Sequence, residues 1–187
     1  MSRQSHLSTI DVLILCGGLG KRLREKIGES QKVMAAVGKE PFLNFILRDL
    51  AHQGCRRVVL CTGYKKETIE EYYQEKKFGL TIAFSREARP LGTGGAIKNA
   101  RPFIRSHYFL AMNGDSYCRI DLEKFFAFHK AKKALVSIAA AKTDDRKDFG
   151  SIAIDGTRKV TAFREKIEDS ASSYVNAGIY CFRRDAF

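Results

Sequence analysis

Ile14-Leu15-Cys16-Gly17-Gly18-Leu19-Gly20-Lys21-Arg22-Leu23 decides how this chain is read. The apolar run Val12 to Leu15 reads as a buried strand, and it breaks into Gly17, Gly18 and Gly20. Glycine has no Cβ, so backbone N–H groups there can approach a ligand closely. Lys21 and Arg22 follow at once, and Lys32 follows ten residues after Arg22. Basic side chains beyond a glycine turn suit a polyphosphate. The chain therefore opens on an anion cradle, with a plain strand-to-turn connection as the competing reading.

Two familiar loops fit poorly. A P-loop needs a hydroxyl after its Gly-Lys pair, and here Gly20-Lys21 is followed by Arg22. A dinucleotide fingerprint needs a third glycine where Leu23 stands. With 187 residues and 44% hydrophobic residues, the chain can bury the core of one domain. Residues 1–10 read as a flexible leader and 11–187 as a single domain. No stretch approaches the ~20 apolar residues of a membrane span. Five scattered cysteines without a C-x-x-C pair point to a reducing, cytoplasmic compartment. The four histidines show no ligand spacing and read as surface or helix-face residues. The net charge of +12 is spread along the chain with no RNA-binding motif beside it, so small anionic substrates are expected rather than nucleic acid.

Beyond the loop the pattern alternates. Leu43, Ile46, Leu47 and Leu50 mark one face of a helix between Pro41 and Gly54. Val58 to Cys61 reads as a strand, Lys66 to Lys76 as a helix, and Leu80 to Phe84 as a strand. A helix from Thr93 to Ala100, a strand from Tyr108 to Met112, a helix capped by Asp121 and a strand from Leu135 to Ala141 complete the series. Such alternation predicts an α/β fold, a Rossmann-like mostly parallel sheet with helices on both faces. After residue 148 short strands follow one another (Gly150 to Ile154, Val160 to Phe163, Tyr174 to Phe182), predicting a β-rich extension laid against the sheet.

Ligands of open α/β sheets sit beyond the carboxyl ends of the strands. Gly17 to Arg22, Glu87 to Gly95, Asn113 to Asp115 and Lys166 all fall at such ends. Asp115 is a natural magnesium ligand there, because magnesium takes one or two carboxylates together with phosphate oxygens and water. Pro90 to Ala96 is a second glycine-rich turn entering a helix. No Ser-His-Asp order, Cys-His pair or cluster of paired acids offers a nucleophile or a strong base. Transfer to an existing phosphate needs neither, since a phosphate monoester has a second pKa of about 6 and is already anionic. It needs positioning, a metal and cations, which Arg22, Lys32, Asp115 and Lys166 supply. Glu87 reads either as a solvated strand-end charge near Arg86 and Arg89 or, if a base faces it, as a carboxylate that accepts from both guanine N1–H and the 2-amino group, whereas uracil and thymine would set carbonyl oxygens against it.

Six segments in register resemble the sugar-1-phosphate nucleotidyltransferases: Leu15 to Leu23, Lys32 to Met34, Pro90 to Ala96, Asn113 to Asp115, Phe163 to Lys166 and Val175 to Gly178. The wording is most similar to D-glycero-α-D-manno-heptose 1-phosphate guanylyltransferases, then to mannose-1-phosphate guanylyltransferases. The resemblance implies GMP transfer from GTP to a sugar 1-phosphate with Mg²⁺, giving a GDP-sugar and pyrophosphate for polysaccharide biosynthesis. A non-catalytic, regulatory protein on the same fold is the alternative class. By the resemblance Cys16, Gly17, Gly18, Gly20, Thr93 and Asn113 hold the nucleotide, and Glu87 and Gly92 face the base. Arg22 and Lys32 hold the triphosphate, Asp115 binds the metal, and Lys166 grips the sugar phosphate. Gly150, Glu165 and Asn176 line the sugar pocket. Neither a nucleic-acid nor a membrane partner is implied, and a homo-oligomer is compatible with the resemblance. Two departures are Gln31, where many relatives have proline, and a second metal-binding aspartate that relatives carry beyond the strand matching Tyr174 to Phe182. The sequence stops at Phe187, so a missing C-terminal segment is expected.

Overall fold

A computed structural model describes residues 5–18, 31–143, 150–164 and 174–187. Apolar runs separated by polar connections build β1 (Asp11–Leu15) and β4 (Arg57–Thr62), and between them lie the two-residue strands β2 (Ala36–Val37) and β3 (Glu40–Pro41). Then follow β5 (Thr81–Arg86), β6 (Tyr108–Asn113), β7 (Val136–Lys142), β8 (Ser151–Ile154), β9 (Val160–Arg164) and β10 (Tyr174–Arg183). The α-helices are α1 (Phe42–His52), α2 (Lys66–Glu75), α3 (Gly92–Asn99) and α4 (Leu122–Lys132). Among the described residues the main sheet has eight strands in the order β5-β4-β1-β6-β10-β8-β9, with β7 on the other side of β10.

Strands β5, β4, β1 and β6 are parallel neighbours, as the alternation predicts. Parallel strands are covered on both faces, so they read as continuous apolar runs. Successive side chains point to opposite faces. Val12 and Ile14 of β1, with Val58 and Leu60 of β4, pack against α1, α2 and α4. Leu13, Val59 and Cys61 pack on the other face, against Ala96 and Ile97 of α3. Helices therefore cover both faces. Ile69 and Tyr73 of α2 are buried, and the Asp121 carboxylate caps α4 by accepting from the Lys124 N–H at 2.9 Å.

Three expectations change. The β-rich segment does not lie on the sheet but extends it in plane: β10 pairs antiparallel with β6, and β8 and β9 continue from β10. Hydrogen bonding decides this, because β6 would otherwise leave a row of unpaired backbone groups at its edge. Of the expected flexible leader, residues 5–10 bury Leu7 and Ile10 while His6 and Thr9 stay exposed. His6–Thr9 form a 3₁₀ turn, Ser5 caps it by accepting from the Leu7 N–H, and Leu7 is fully buried. His129 is buried rather than superficial, with Nδ1 2.8 Å from Ser137 Oγ, and burial lowers its pKa.

At the end of the sheet away from the glycine turn, Asp11 ties three segments together. Its Oδ2 accepts from the Arg105 and Ser106 N–H groups at 2.7 and 2.9 Å and from Ser106 Oγ at 2.8 Å. Arg57 is 2.9 Å from Oδ1, an ion pair rather than a well-aligned hydrogen bond. Loss of a buried carboxylate with these partners costs about 2–4 kcal/mol. Asp11→Ala is expected to lower stability by that amount in urea denaturation at neutral pH. A change under about 1 kcal/mol would show that solvent replaces the network.

Candidate active site

β1 ends level with both of its neighbours. Leu15 pairs with Cys61 on one side and Asn113 on the other. The next backbone groups continue the pairing: Cys16 N–H donates to Cys61 O at 2.9 Å and Gly114 N–H to Leu15 O at 3.0 Å. Glu87 N–H donates to Thr62 O at 2.7 Å, which brings the end of β5 to the same level. A cleft of about 530 Å³ opens over these strand ends. Cys16, Gly17, Gly18, Lys32, Glu87, Gly92, Thr93, Asn113 and Asp115 all line it, which brings together three of the four strand-end segments and adds Lys32. Leu15, Val33, Pro90, Leu91 and Ala96 supply further wall that the sequence did not single out. Gly20, Arg22, Glu165 and Lys166 lie outside the described residues.

Glu87 is nearly buried and points into the cleft wall, not into solvent. Its Oε2 accepts from the Leu91 N–H at 3.2 Å, holding the second glycine turn. Gly17 leaves room for this carboxylate position, since a Cβ there would stand 2.9 Å from Glu87 Oε1 and the carboxylate would have to shift. Gly63 backs Gly17 in turn, its own Cβ position being 3.3 Å from Gly17 Cα. Arg86 does not neutralise Glu87; it turns away to Glu70, with a 2.6 Å contact between Nη2 and Oε2. Burial raises the Glu87 pKa, partly offset by the Leu91 N–H. Asn99 fastens α3 to β5 by donating from Nδ2 to Ser85 Oγ and Arg86 O, both at 3.1 Å.

Lys32 and Asp115 face each other across the cleft, Nζ to Oδ2 2.9 Å, each side chain about two-fifths exposed. Burial first, then Cys61, Asp115 and Glu87, push the Cys16 thiol pKa well up, which disfavours the thiolate. Among the described residues no group of three or more His, Cys, Asp or Glu could hold a metal by itself. One accessible carboxylate in a cleft of this size suits a magnesium ion that takes its remaining ligands from substrate and water.

Gly150 and Asn176 are brought to each other, Asn176 N–H donating to Gly150 O at 2.9 Å, but neither lines the cleft. A bulge in β10 connects them to it. Asn176 pairs with Ala140 and Tyr180 with Ile138, so Ala177, Gly178 and Ile179 stand opposite Ala139 alone. Asn176 spans the bulge, Oδ1 accepting from Gly178 N–H at 2.9 Å and Nδ2 donating to Tyr180 Oη at 2.6 Å. Gly178 has φ +72°, and a Cβ on it would lie 2.6 Å from Asn113 Nδ2.

The fold and this cleft define an α/β protein with a nucleotide-sized site at the carboxyl ends of its parallel strands. Comparison with known proteins makes the assignment specific. Residues 11–187 match the model described as nucleotidyl transferase, and the chain belongs to that family. It is 36% identical over 178 residues to the D-glycero-α-D-manno-heptose 1-phosphate guanylyltransferase of Campylobacter jejuni, covering 95% of this chain and 78% of the relative. It is 35% identical to the mannose-1-phosphate guanylyltransferase of Mycobacterium tuberculosis, covering 94% of this chain and 49% of that one. The crystal structure of HddC from Yersinia pseudotuberculosis superposes with a TM-score of 0.85 at 34% identity, over 94% of this chain and 77% of HddC. HddC complexed with GMP-PN gives a TM-score of 0.84. Among the described residues no helix is long and apolar enough to cross a membrane.

Gly178→Ala is expected to push Asn113 toward the cleft and to cost about 1–3 kcal/mol through strain and overlap. Gly156→Ala, with nothing within 4 Å of its Cβ position, should be within about 0.5 kcal/mol of wild type. Equal stability of the two variants in denaturant would contradict the close approach of β10 to Asn113.

Proposed function

We propose that the chain is a cytoplasmic guanylyltransferase that moves GMP from GTP to a sugar 1-phosphate, with D-glycero-α-D-manno-heptose 1-phosphate favoured. A phosphate oxygen of the sugar 1-phosphate attacks the α-phosphorus of GTP. The bond from that phosphorus to the bridging oxygen breaks, and pyrophosphate leaves with the electron pair. The observation that carries the reading is one cleft holding a buried carboxylate at one part of its wall and a lysine–aspartate pair at another, between two glycine turns. The names of the relatives favour guanine and, with the Campylobacter jejuni and Aneurinibacillus thermoaerophilus proteins, heptose.

Each group has a task that its surroundings suit. Glu87, held by Leu91, accepts from guanine N1–H and the 2-amino group. Gly17 and Gly18 let the chain approach the nucleotide without a Cβ in the way. Lys32 offsets the negative charge that develops on the departing pyrophosphate. Asp115 would hold Mg²⁺, which when bound supplies Lewis-acid charge to the phosphate oxygens. Arg22 would support the triphosphate, while Lys166, Glu165, Gly150 and Asn176 would serve the sugar phosphate and sugar. No protein nucleophile takes part, and the burial of Cys16, which raises its thiol pKa, agrees with that.

Nucleotide choice tests this reading. Mismatching a desolvated polar edge costs about 1–3 kcal/mol, about ten- to a hundredfold in kcat/KM. Wild type should prefer GTP to UTP and dTTP, and Glu87→Gln should remove most of that preference. The raised Glu87 pKa fixes the sign of the pH effect. Only the carboxylate accepts from both guanine donors, so acidification should erode GTP selectivity, starting above the usual glutamate range. In Glu87→Gln the selectivity ratio should not vary with pH. A wild type that prefers UTP, or a glutamine variant that keeps both the GTP preference and its pH dependence, would refute the base-reading role.

A further inference from the structure

The geometry points to a second task for Lys32: as the resident counter-cation of Asp115, it makes the cleft select nucleotide that arrives with its divalent metal over either ion alone. This inference rests on the nucleotidyl-transfer reading of the cleft. The ion pair is built into the backbone. Lys32 opens a single 3₁₀ turn, closed by Met34 N–H to Gln31 O at 2.9 Å and Ala35 N–H to Lys32 O at 3.2 Å. Its neighbour Val33 is buried, and a Cβ on Gly114 would meet Val33 Cγ1 at 3.1 Å and Leu15 O at 2.9 Å. The residues adjoining Lys32 and Asp115 are therefore packed on each other, and Nζ and Oδ2 meet at 2.9 Å as a result.

Among the described side chains lining the cleft, Lys32 is the one cation, and the carboxylates are Asp115 and Glu87. Glu87 is held by the Leu91 N–H, so Lys32 has Asp115 as its partner. A divalent cation entering alone must displace the ammonium and then remain beside it. A triphosphate entering alone must draw Lys32 away and bring its own negative charge against a bared carboxylate. A metal–nucleotide complex does neither: phosphate oxygens take Lys32 while the metal takes Asp115, and every charge keeps an opposite partner. A half-exposed pair of this kind is weak enough to open on binding. By linkage, whatever removes Lys32 from Asp115 helps the metal, and whatever removes Asp115 from Lys32 helps free triphosphate by the same coupling.

A double-mutant cycle on the full chain reads that coupling without turnover. Mn²⁺ affinity without nucleotide is measured by EPR, and GTP affinity in EDTA by calorimetry, for wild type, Lys32→Met, Asp115→Asn and the double variant. Circular dichroism confirms that each variant is folded, and Lys32→Gln serves as a second neutral replacement. Lys32→Met should tighten Mn²⁺ alone about fivefold or more. Asp115→Asn should tighten metal-free GTP by about the same factor when Lys32 is present, and by less than half that factor when it is methionine. If neither lysine replacement changes Mn²⁺ affinity, or if the gain from Asp115→Asn is undiminished without Lys32, the counter-cation role is wrong while the cleft remains a nucleotide site. If wild type fails to bind GTP even with Mn²⁺, both the counter-cation role and the nucleotidyl-transfer reading fall.

Discussion

Leu15 stands in register with Cys61 on one side and Asn113 on the other, and this double pairing is the constraint from which the cleft follows. It makes three parallel strands end at one level, so Gly17 and Asp115 emerge side by side. The bond from Glu87 N–H to Thr62 O adds the fourth strand to that level. A slip of one residue would exchange the faces of β1, sending Leu13 toward α1 and α2 and Ile14 toward α3. Both faces are packed, Leu13 and Ile14 being fully buried, so the register is strongly specified. The site is thus a consequence of core packing, and its chemistry needs only short turns beyond the strand ends.

The cleft separates two kinds of carboxylate. Glu87 is nearly buried, fixed by a backbone N–H and raised in pKa by its surroundings, which suits reading a base edge. Asp115 is partly exposed and paired with Lys32, which suits exchange with mobile ions. Arg86 leaves Glu87 without an arginine partner by binding Glu70, whose pKa it lowers. A rigid end for specificity and an exchangeable end for phosphate and metal are what transfer by positioning and charge requires.

Much of this was legible in the sequence because the signals are local. The apolar run ending at Leu15, the i, i+3, i+4, i+7 face of α1 and the Asp121 cap each follow from short-range rules, and each stands as expected. The residues that line the cleft were legible as a group for the same reason, since strand ends followed by glycine or carboxylate fall at one edge of a parallel sheet. What was missed depends on contacts distant in sequence. Leu7 looked like part of a polar leader, yet the core buries it. His129 looked like a helix surface, yet it reaches Ser137 of β7. The three-residue bulge around Gly178 is set by β10 pairing with β7 and β6 at once, which no single-strand pattern reveals. Gly150 and Asn176 are joined by a backbone hydrogen bond, and Glu165 of the same expected sugar pocket lies outside the described residues.

The most direct test of the account is a crystal structure of this chain with a non-hydrolysable GTP analogue and Mn²⁺. Guanine N1–H and the 2-amino group should lie within hydrogen-bond distance of Glu87, the phosphates should contact Lys32, and the metal should sit on Asp115 with Lys32 drawn off it. A nucleotide bound with its base away from Glu87, or outside the cleft over β1, β5 and β6, would contradict the account.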